Sequence, residues 1–378
     1  MKICHLTSLH PATDTRIFIK ECQSLANAGH DVYLIAPNTE SVKQSGVTII
    51  GVHSIVKGRL DRMRKTTQKV FEKALEIDAE VYHFHDPELM PVGLKLKAKG
   101  KKVVYDVHED VPEQVMSKQW IPKPLRKLIS VLVKGYERYA SKRFDAIVTA
   151  TPTIEERFVT YNPNTVTVHN YPLLNELASG EEVYGQKNGH NVLYIGGIYA
   201  LRGIKEMVRA IEKVNKDLPA TFILAGAFTP KSLEAEVRSM PGFKYTDFRG
   251  YLDREGVKNA LSEANMGMVV LHPEPRFVVS LPIKMFEYMS AGVPVIASNF
   301  PLWKDIVEKN NCGICVDPLN IDEIASAIRR ILENPEQAEQ MGRNGRRAIE
   351  TIYNWETESQ KLVSLYNRLE GKRVSTSY

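Results

Sequence analysis

Short runs of β-branched and aromatic residues recur along the chain, separated by longer segments whose apolar residues return every three or four positions. In the first part the strand-like runs are Lys2–Thr7, Asp31–Ala36, Val47–Val52, Val81–His85, Lys102–Asp106, Ala146–Ala150 and Thr165–His169. Phe18, Cys22, Leu25 and Ala26 fall on one face of a predicted helix between the first two. The alternation lapses after Pro172, where Leu173 to Gly189 is polar and contains glycine, as a linker does. It resumes with Asn191–Gly196, Ala220–Ala225, Lys244–Arg249, Met266–Leu271, Pro294–Ser298 and Gly313–Val316. From Ile321 to Leu369 the pattern is helical, broken near Asn334-Pro335 and Tyr353-Asn354.

Repeated β-α units with short connections imply a parallel sheet covered by helices on both faces. The expected fold is therefore α/β, with two doubly wound Rossmann-like domains over residues 1–172 and 191–353, a linker over 173–190, and a helix within 354–378 packing back on the first domain. A length of 378 residues, more than one hydrophobic core usually supports, agrees with two domains. Open sheets of this kind bind ligands beyond the carboxyl ends of their strands, so a cleft between the two domains is the expected site.

Composition adds less. The longest apolar runs, such as Met268–Leu271 and Val293–Ala297, fall far short of a membrane span, and Met1-Lys2-Ile3-Cys4 shows no signal-peptide pattern, so a cytoplasmic protein is expected. Cys4 and Cys22 fall in a predicted strand and helix, and the lone Cys312-Gly-Ile-Cys315 pair cannot complete a zinc site, so all four cysteines read as structural. A net charge of +5 is too modest to predict a nucleic-acid partner, but it is unevenly spread. Lys57 to Lys73 is basic, and Lys118 to Arg143 interleaves Lys123, Arg126, Lys127, Lys134, Arg138, Lys142 and Arg143 with Trp120, Leu125, Leu128, Val131 and Leu132. That interleaving suits a helix lying on the inner, anionic face of a cell membrane, and equally a solvated face over a core-packing helix.

The residues with chemistry to offer gather at predicted strand ends. His10, Asp14 and Arg16 occupy the first β-α loop, which lacks the glycine pattern of dinucleotide binders; His85, Asp86 and Glu88 end another strand, and His108 a third. In the second half Gly196-Gly197-Ile198-Tyr199-Ala200-Leu201-Arg202-Gly203, Phe248-Arg249-Gly250-Tyr251-Leu252 and Phe286-Glu287-Tyr288-Met289-Ser290-Ala291-Gly292-Val293-Pro294-Val295-Ile296 follow one another. In order and spacing these motifs resemble retaining glycosyltransferases of the GT-B fold, family four. Tyr105-Asp106-Val107-His108-Glu109 and His83-Phe84-His85-Asp86-Pro87-Glu88-Leu89 extend the resemblance to members that build bacterial surface polysaccharides.

The resemblance implies transfer of a hexose or hexosamine from a UDP- or GDP-sugar to a sugar hydroxyl, on a lipid-linked glycan, with retention. It implies no metal and no cofactor, because side chains and helix N-termini meet the diphosphate. Arg202 stands where the family usually has lysine, while Gly197 replaces the usual preceding arginine; Lys284 is the expected substitute cation. Glu287 is expected on the ribose hydroxyls, Tyr251 and Leu252 on the base, and His108 on the donor sugar as the active-site histidine. The family's further glutamate has no direct counterpart: either Glu274 reaches the sugar, or backbone amides around Val279, Ser280 and Leu281 do. His10, Asp14, Arg16, His85, Asp86 and Glu88 are candidates for the acceptor side. A nucleotide-sugar epimerase, or a non-catalytic sugar-nucleotide binder, would share the architecture.

Overall fold

The computed structural model describes residues 1–55, 57–117, 121–174, 176 and 189–371. Most of the linker, the end of the chain beyond Gly371, and Lys118 and Trp120 of the second basic stretch lie outside these residues. The chain divides into two compact units: Met1–Asn170 together with Trp355–Tyr378, and Tyr171–Asn354.

The first unit is built on β1 (Lys2–Leu6), β2 (Asp31–Pro37), β3 (Val42–Gln44), β4 (Val47–Val52), β5 (Val81–Phe84), β6 (Lys102–Val107), β7 (Ala146–Thr149) and β8 (Thr165–Thr167). Their order across the sheet is β3-β4-β2-β1-β5-β6-β7-β8. All neighbours are parallel except β3, which pairs antiparallel with β4 at the edge. Central strands are buried on both faces, and for that reason they read as near-continuous apolar runs. The helix Trp355–Glu370 belongs to this unit: Trp355, Leu362, Leu365 and Tyr366 are buried, and the Trp355 indole donates to Ser24 Oγ at 2.9 Å.

The second unit contains β9 (Asn191–Ile195), β10 (Thr221–Ala225), β11 (Thr246–Gly250), β12 (Met266–Val269), β13 (Val295–Ser298) and β14 (Gly313–Val316), ordered β11-β10-β9-β12-β13-β14 and all parallel. One apolar cluster, centred on Tyr194, Ile211, Leu224 and Ile328, and another, centred on Leu193, Phe286, Tyr288 and Trp303, supply its core. Leu193 and Tyr194, adjacent in β9, join different clusters because successive strand residues point to opposite faces. No helix among the described residues is long and apolar enough to cross a membrane. Cys4, Cys22 and Cys312 are buried free thiols, and burial pushes the Cys312 thiol up to about 12.

Candidate active site

In the first unit the polar side chains at the ends of β1, β5 and β6 form one hydrogen-bonded network. The period of two along each strand puts His5, His83, His85 and Asp106 on the same face, and all are buried. Asp106 is its hub. Arg16 donates to both carboxylate oxygens, through Nε at 3.1 Å and a terminal nitrogen at 2.9 Å; His85 Nδ1 lies at 3.0 Å and His108 Nε2 at 2.6 Å. Burial alone would raise this carboxyl, but the charge of Arg16 and the His108 bond hold it well below the ordinary carboxylate range. Glu21 goes the other way: burial first, and then the charge of Asp106, push it well above.

The loop after β1 is organised by its own polar residues. Asp14 caps the helix Thr15–Cys22 by accepting from the Arg16 and Ile17 amides, both at 2.9 Å. Burial opposes its charge, but the His10 bond and the Ile17 amide bring it down to about 2. His10 is raised from its ordinary value, chiefly by its hydrogen bond to Asp14, and its other nitrogen lies 3.4 Å from Asp86. Asp86 accepts from Thr7 Oγ1 at 2.8 Å and the Ser8 amide at 2.7 Å, and Glu88 binds both Arg62, twice at 3.0 Å, and Ser8.

Three acceptor-side expectations change accordingly. Arg16 is 5% exposed and its guanidinium is held by Asp106, Glu21 and the Val168 carbonyl, so it braces the network instead of facing a ligand. His85 is buried between His5 and Asp106, and Asp86 is 2% exposed with its oxygens engaged. His10 and His108, with side chains 30% and 20% exposed, are the rings of this network open to solvent.

Two groups here have metal-ligating chemistry: His5, Glu21, His83 and His85, and His85, Asp106 and His108. In the second, both imidazoles already direct a nitrogen at Asp106. In the first, Arg16 stands 3.0 Å from Glu21, so a divalent cation would add charge beside an existing one in a dry core.

In the second unit the chain leaves β9 through Gly196 and Gly197. Gly196 has φ +128°, a backbone conformation that favours glycine, and its Cα lies close enough to Lys284 that an added Cβ would stand 2.8 Å from Nζ. Lys284 lies in the first turn of the helix Ile283–Ser290; the residue is partly buried, but its Nζ is shut off from solvent, has no hydrogen-bond partner, and lies 3.8 Å above the Tyr194 ring. Burial, followed by the neighbouring Arg202 charge, drives its amine well below the ordinary lysine value. Arg202 ends a short 3-10 turn, Ala200–Arg202, just ahead of the helix Ile204–Val214, and donates to the Gly197 carbonyl at 3.3 Å. Two cationic side chains thus converge on a glycine turn at a strand's carboxyl end.

Glu287 lies one turn beyond Lys284, with one carboxylate oxygen held by Arg254 at 2.8 Å. Tyr251 is 84% exposed, and Leu252 packs against the core. The Ser280 amide is taken up by the Phe277 carbonyl and the Ser280 carbonyl by Trp303 Nε1, which leaves Ser280 little to offer a sugar. Glu274 precedes the short helix Pro275–Val278. Sequence reasoning missed Asp106, Arg254 and Tyr194; only the quoted Tyr105-Asp106-Val107-His108 run carried a signal for the first.

The comparisons with known proteins agree with this layout. Residues 16–170 match the Glycosyltransferase Family 4 model, and residues 182–348 match Glycosyl transferases group 1. The phosphatidyl-myo-inositol mannosyltransferase of Mycolicibacterium smegmatis is 24% identical over 366 residues, covering 93% of this chain and 88% of that enzyme. Sucrose-phosphate synthase from Thermosynechococcus elongatus superposes with a TM-score of 0.79 at 19% identity, covering 98% of this chain and 99% of that one. HepE from Anabaena, solved with UDP-glucose, gives 0.71 at 16% identity, covering 98% and 100%. Both units are matched by glycosyltransferase models and both sheets have the Rossmann-like topology of GT-B enzymes: the chain belongs to the GT4-like glycosyltransferases of GT-B fold.

Proposed function

We propose that the chain transfers a hexose or hexosamine from a UDP- or GDP-sugar to a sugar hydroxyl of a lipid-linked glycan, with retention of anomeric configuration. The observation that carries this reading is Lys284: a buried amine without a hydrogen-bond partner, beside Arg202, at a glycine turn where backbone comes close. A diphosphate is the ligand that would give both cations a partner, and it leaves more readily as they neutralise it. HepE, solved with UDP-glucose, supports a nucleotide-sugar donor, and a relative that is a phosphatidyl-myo-inositol mannosyltransferase supports a lipid-linked acceptor. The charge on the leaving group is met by Arg202 and Lys284, so the reading calls for no metal or other cofactor.

In this scheme Glu287 takes the ribose hydroxyls through its second oxygen, the segment at Tyr251 and Leu252 takes the base, and His108 orients the donor sugar. Among the described groups no carboxylate is assigned as nucleophile. The departing phosphate therefore helps deprotonate the incoming hydroxyl on the same face, and the two cations stabilise the charge that develops. Arg202→Ala and Lys284→Ala should each lower turnover by about a hundredfold while weakening UMP or GMP binding much less. Measuring both on one preparation decides the matter. Near-normal turnover in both variants would remove the phosphate assignment, and tight donor binding without any release of UDP or GDP would favour a sugar-nucleotide binder.

A further inference from the structure

Asp106 ends the inward face of β6 and is completely buried, whereas His108, two residues on, has a side chain 20% exposed. The guanidinium of Arg16 is always a donor, and it binds both Asp106 oxygens. An ionised carboxylate only accepts hydrogen bonds, so each neighbour of Asp106 must donate to it. His85 donates through Nδ1, and His108 through Nε2 at 2.6 Å. In the neutral His108 ring the other nitrogen, Nδ1, then keeps a bare lone pair. It has no hydrogen-bond partner among the described residues, and the neighbouring His10 ring, 5.7 Å away, is itself engaged at both nitrogens by Asp14 and Asp86.

We infer that Asp106 is the positioning residue of this site: it locks His108 in the tautomer with hydrogen on Nε2, so that the ring meets the donor sugar as an acceptor and selects a sugar hydroxyl. This rests on the glycosyl-transfer reading above. Arg16 and His85 brace the carboxylate from two other elements, the helix Thr15–Cys22 and the end of β5, so the ring is aimed by a rigid core instead of by its own loop. The assignment also gives Arg16 its place, bidentate to a carboxylate that must stay charged. A sugar position bearing only hydrogen, or a methyl ether, has no proton to give Nδ1 and should be turned over about tenfold more slowly.

The direct test is ¹⁵N NMR of the histidine rings of the full chain without ligand, with His108 assigned by its loss in His108→Ala. A protonated Nε2 and a bare Nδ1 are expected; the opposite tautomer overturns the inference, and this arm needs no variant of Asp106 to fold. Asp106→Asn, checked for folding by its melting temperature, should mix the tautomers and reduce kcat by about a hundredfold with little change in KM, using UDP-glucose and GDP-mannose as donor probes. A folded Asp106→Asn protein with wild-type kcat also overturns it. With the monodeoxy analogues of the same two donors, one position should lose rate in the wild type and lose none in His108→Ala; equal losses in both proteins count against the inference. The two readings fail separately. Full activity in His108→Ala removes the catalytic role of His108, whereas an inactive His108→Ala beside a fully active Asp106→Asn removes only the positioning role.

Discussion

His5, His83 and His85 lie buried with ring centroids 4.6 to 5.2 Å apart. Burial first, and then their mutual repulsion, lowers His5 and His83 well below the ordinary histidine value, and burial lowers His85 despite its bond to Asp106. The sign of the pH effect follows. Folded rings stay neutral while unfolded rings gain protons below about pH 6.5, so stability is at its full value above that pH and falls as pH drops beneath it. Asp106 acts in the same direction at lower pH: its depressed carboxyl gives its full contribution above about pH 4, the free value, and loses it progressively as pH falls from there through the lower value it has in the fold. The urea midpoint of the first unit should therefore fall between about pH 7 and pH 5, and His83→Gln should flatten the decline; an unchanged midpoint over that range would mean that the rings are charged in the fold. His83 and His85 were visible in the sequence as alternate residues about Phe84, but Asp106, Glu21 and Arg16 were not recognisable as core. Apolar patterning marks buried strands by their hydrophobic residues, and a buried ion pair at a strand end leaves no trace in that signal.

The helix Lys123–Ser141 shows what elements reveal. A core-packing helix hides its apolar stripe, yet Leu125, Leu128, Leu132, Tyr136 and Tyr139, spaced three or four apart, are 38% to 62% exposed. Glu137, buried and paired with Arg157 at 2.7 Å, ties the far end of the helix to the unit. We propose that the exposed stripe and its lysines dock on acidic lipid. Each lysine contributes about 1 kcal/mol near such a surface, so Lys127→Glu with Lys134→Glu should weaken binding to anionic vesicles by about a hundredfold, and salt should weaken it in the wild type. Arg126 is tied to the Ile121 and Met116 carbonyls and is the poorer probe. Unchanged vesicle sedimentation in the double variant would leave the stripe without a lipid role. Among the described residues all thirteen predicted strand runs are present, and the one further strand is β3. Its three residues, Val42, Lys43 and Gln44, are all exposed, so no burial pattern distinguishes this edge from a loop.

At the scale of the whole molecule the sequence disclosed the architecture because two doubly wound sheets repeat one local grammar of strand and helix, and each parallel pairing hides its strands on both faces. The division of the chain has a further consequence, which concerns synthesis. The second unit is one uninterrupted stretch, Tyr171–Asn354, whereas the first includes the helix Trp355–Glu370, which packs against the segment Thr15–Asn27 and buries Trp355, Leu362, Leu365 and Tyr366. On the ribosome the second unit is therefore complete before the first, although the first begins earlier. A fragment spanning residues 171–354 should unfold cooperatively by itself, while a fragment ending at residue 170 should be aggregation-prone or readily proteolysed, and supplying residues 355–371 as a separate peptide should protect it. If the short fragment melted as the intact unit does, the closing helix would be dispensable. If not, translation must hold an unfinished first unit in check for the time taken to make nearly two hundred further residues, roughly ten to forty seconds at ordinary elongation rates, and that interval is when the chain is most open to chaperones and most exposed to misassembly.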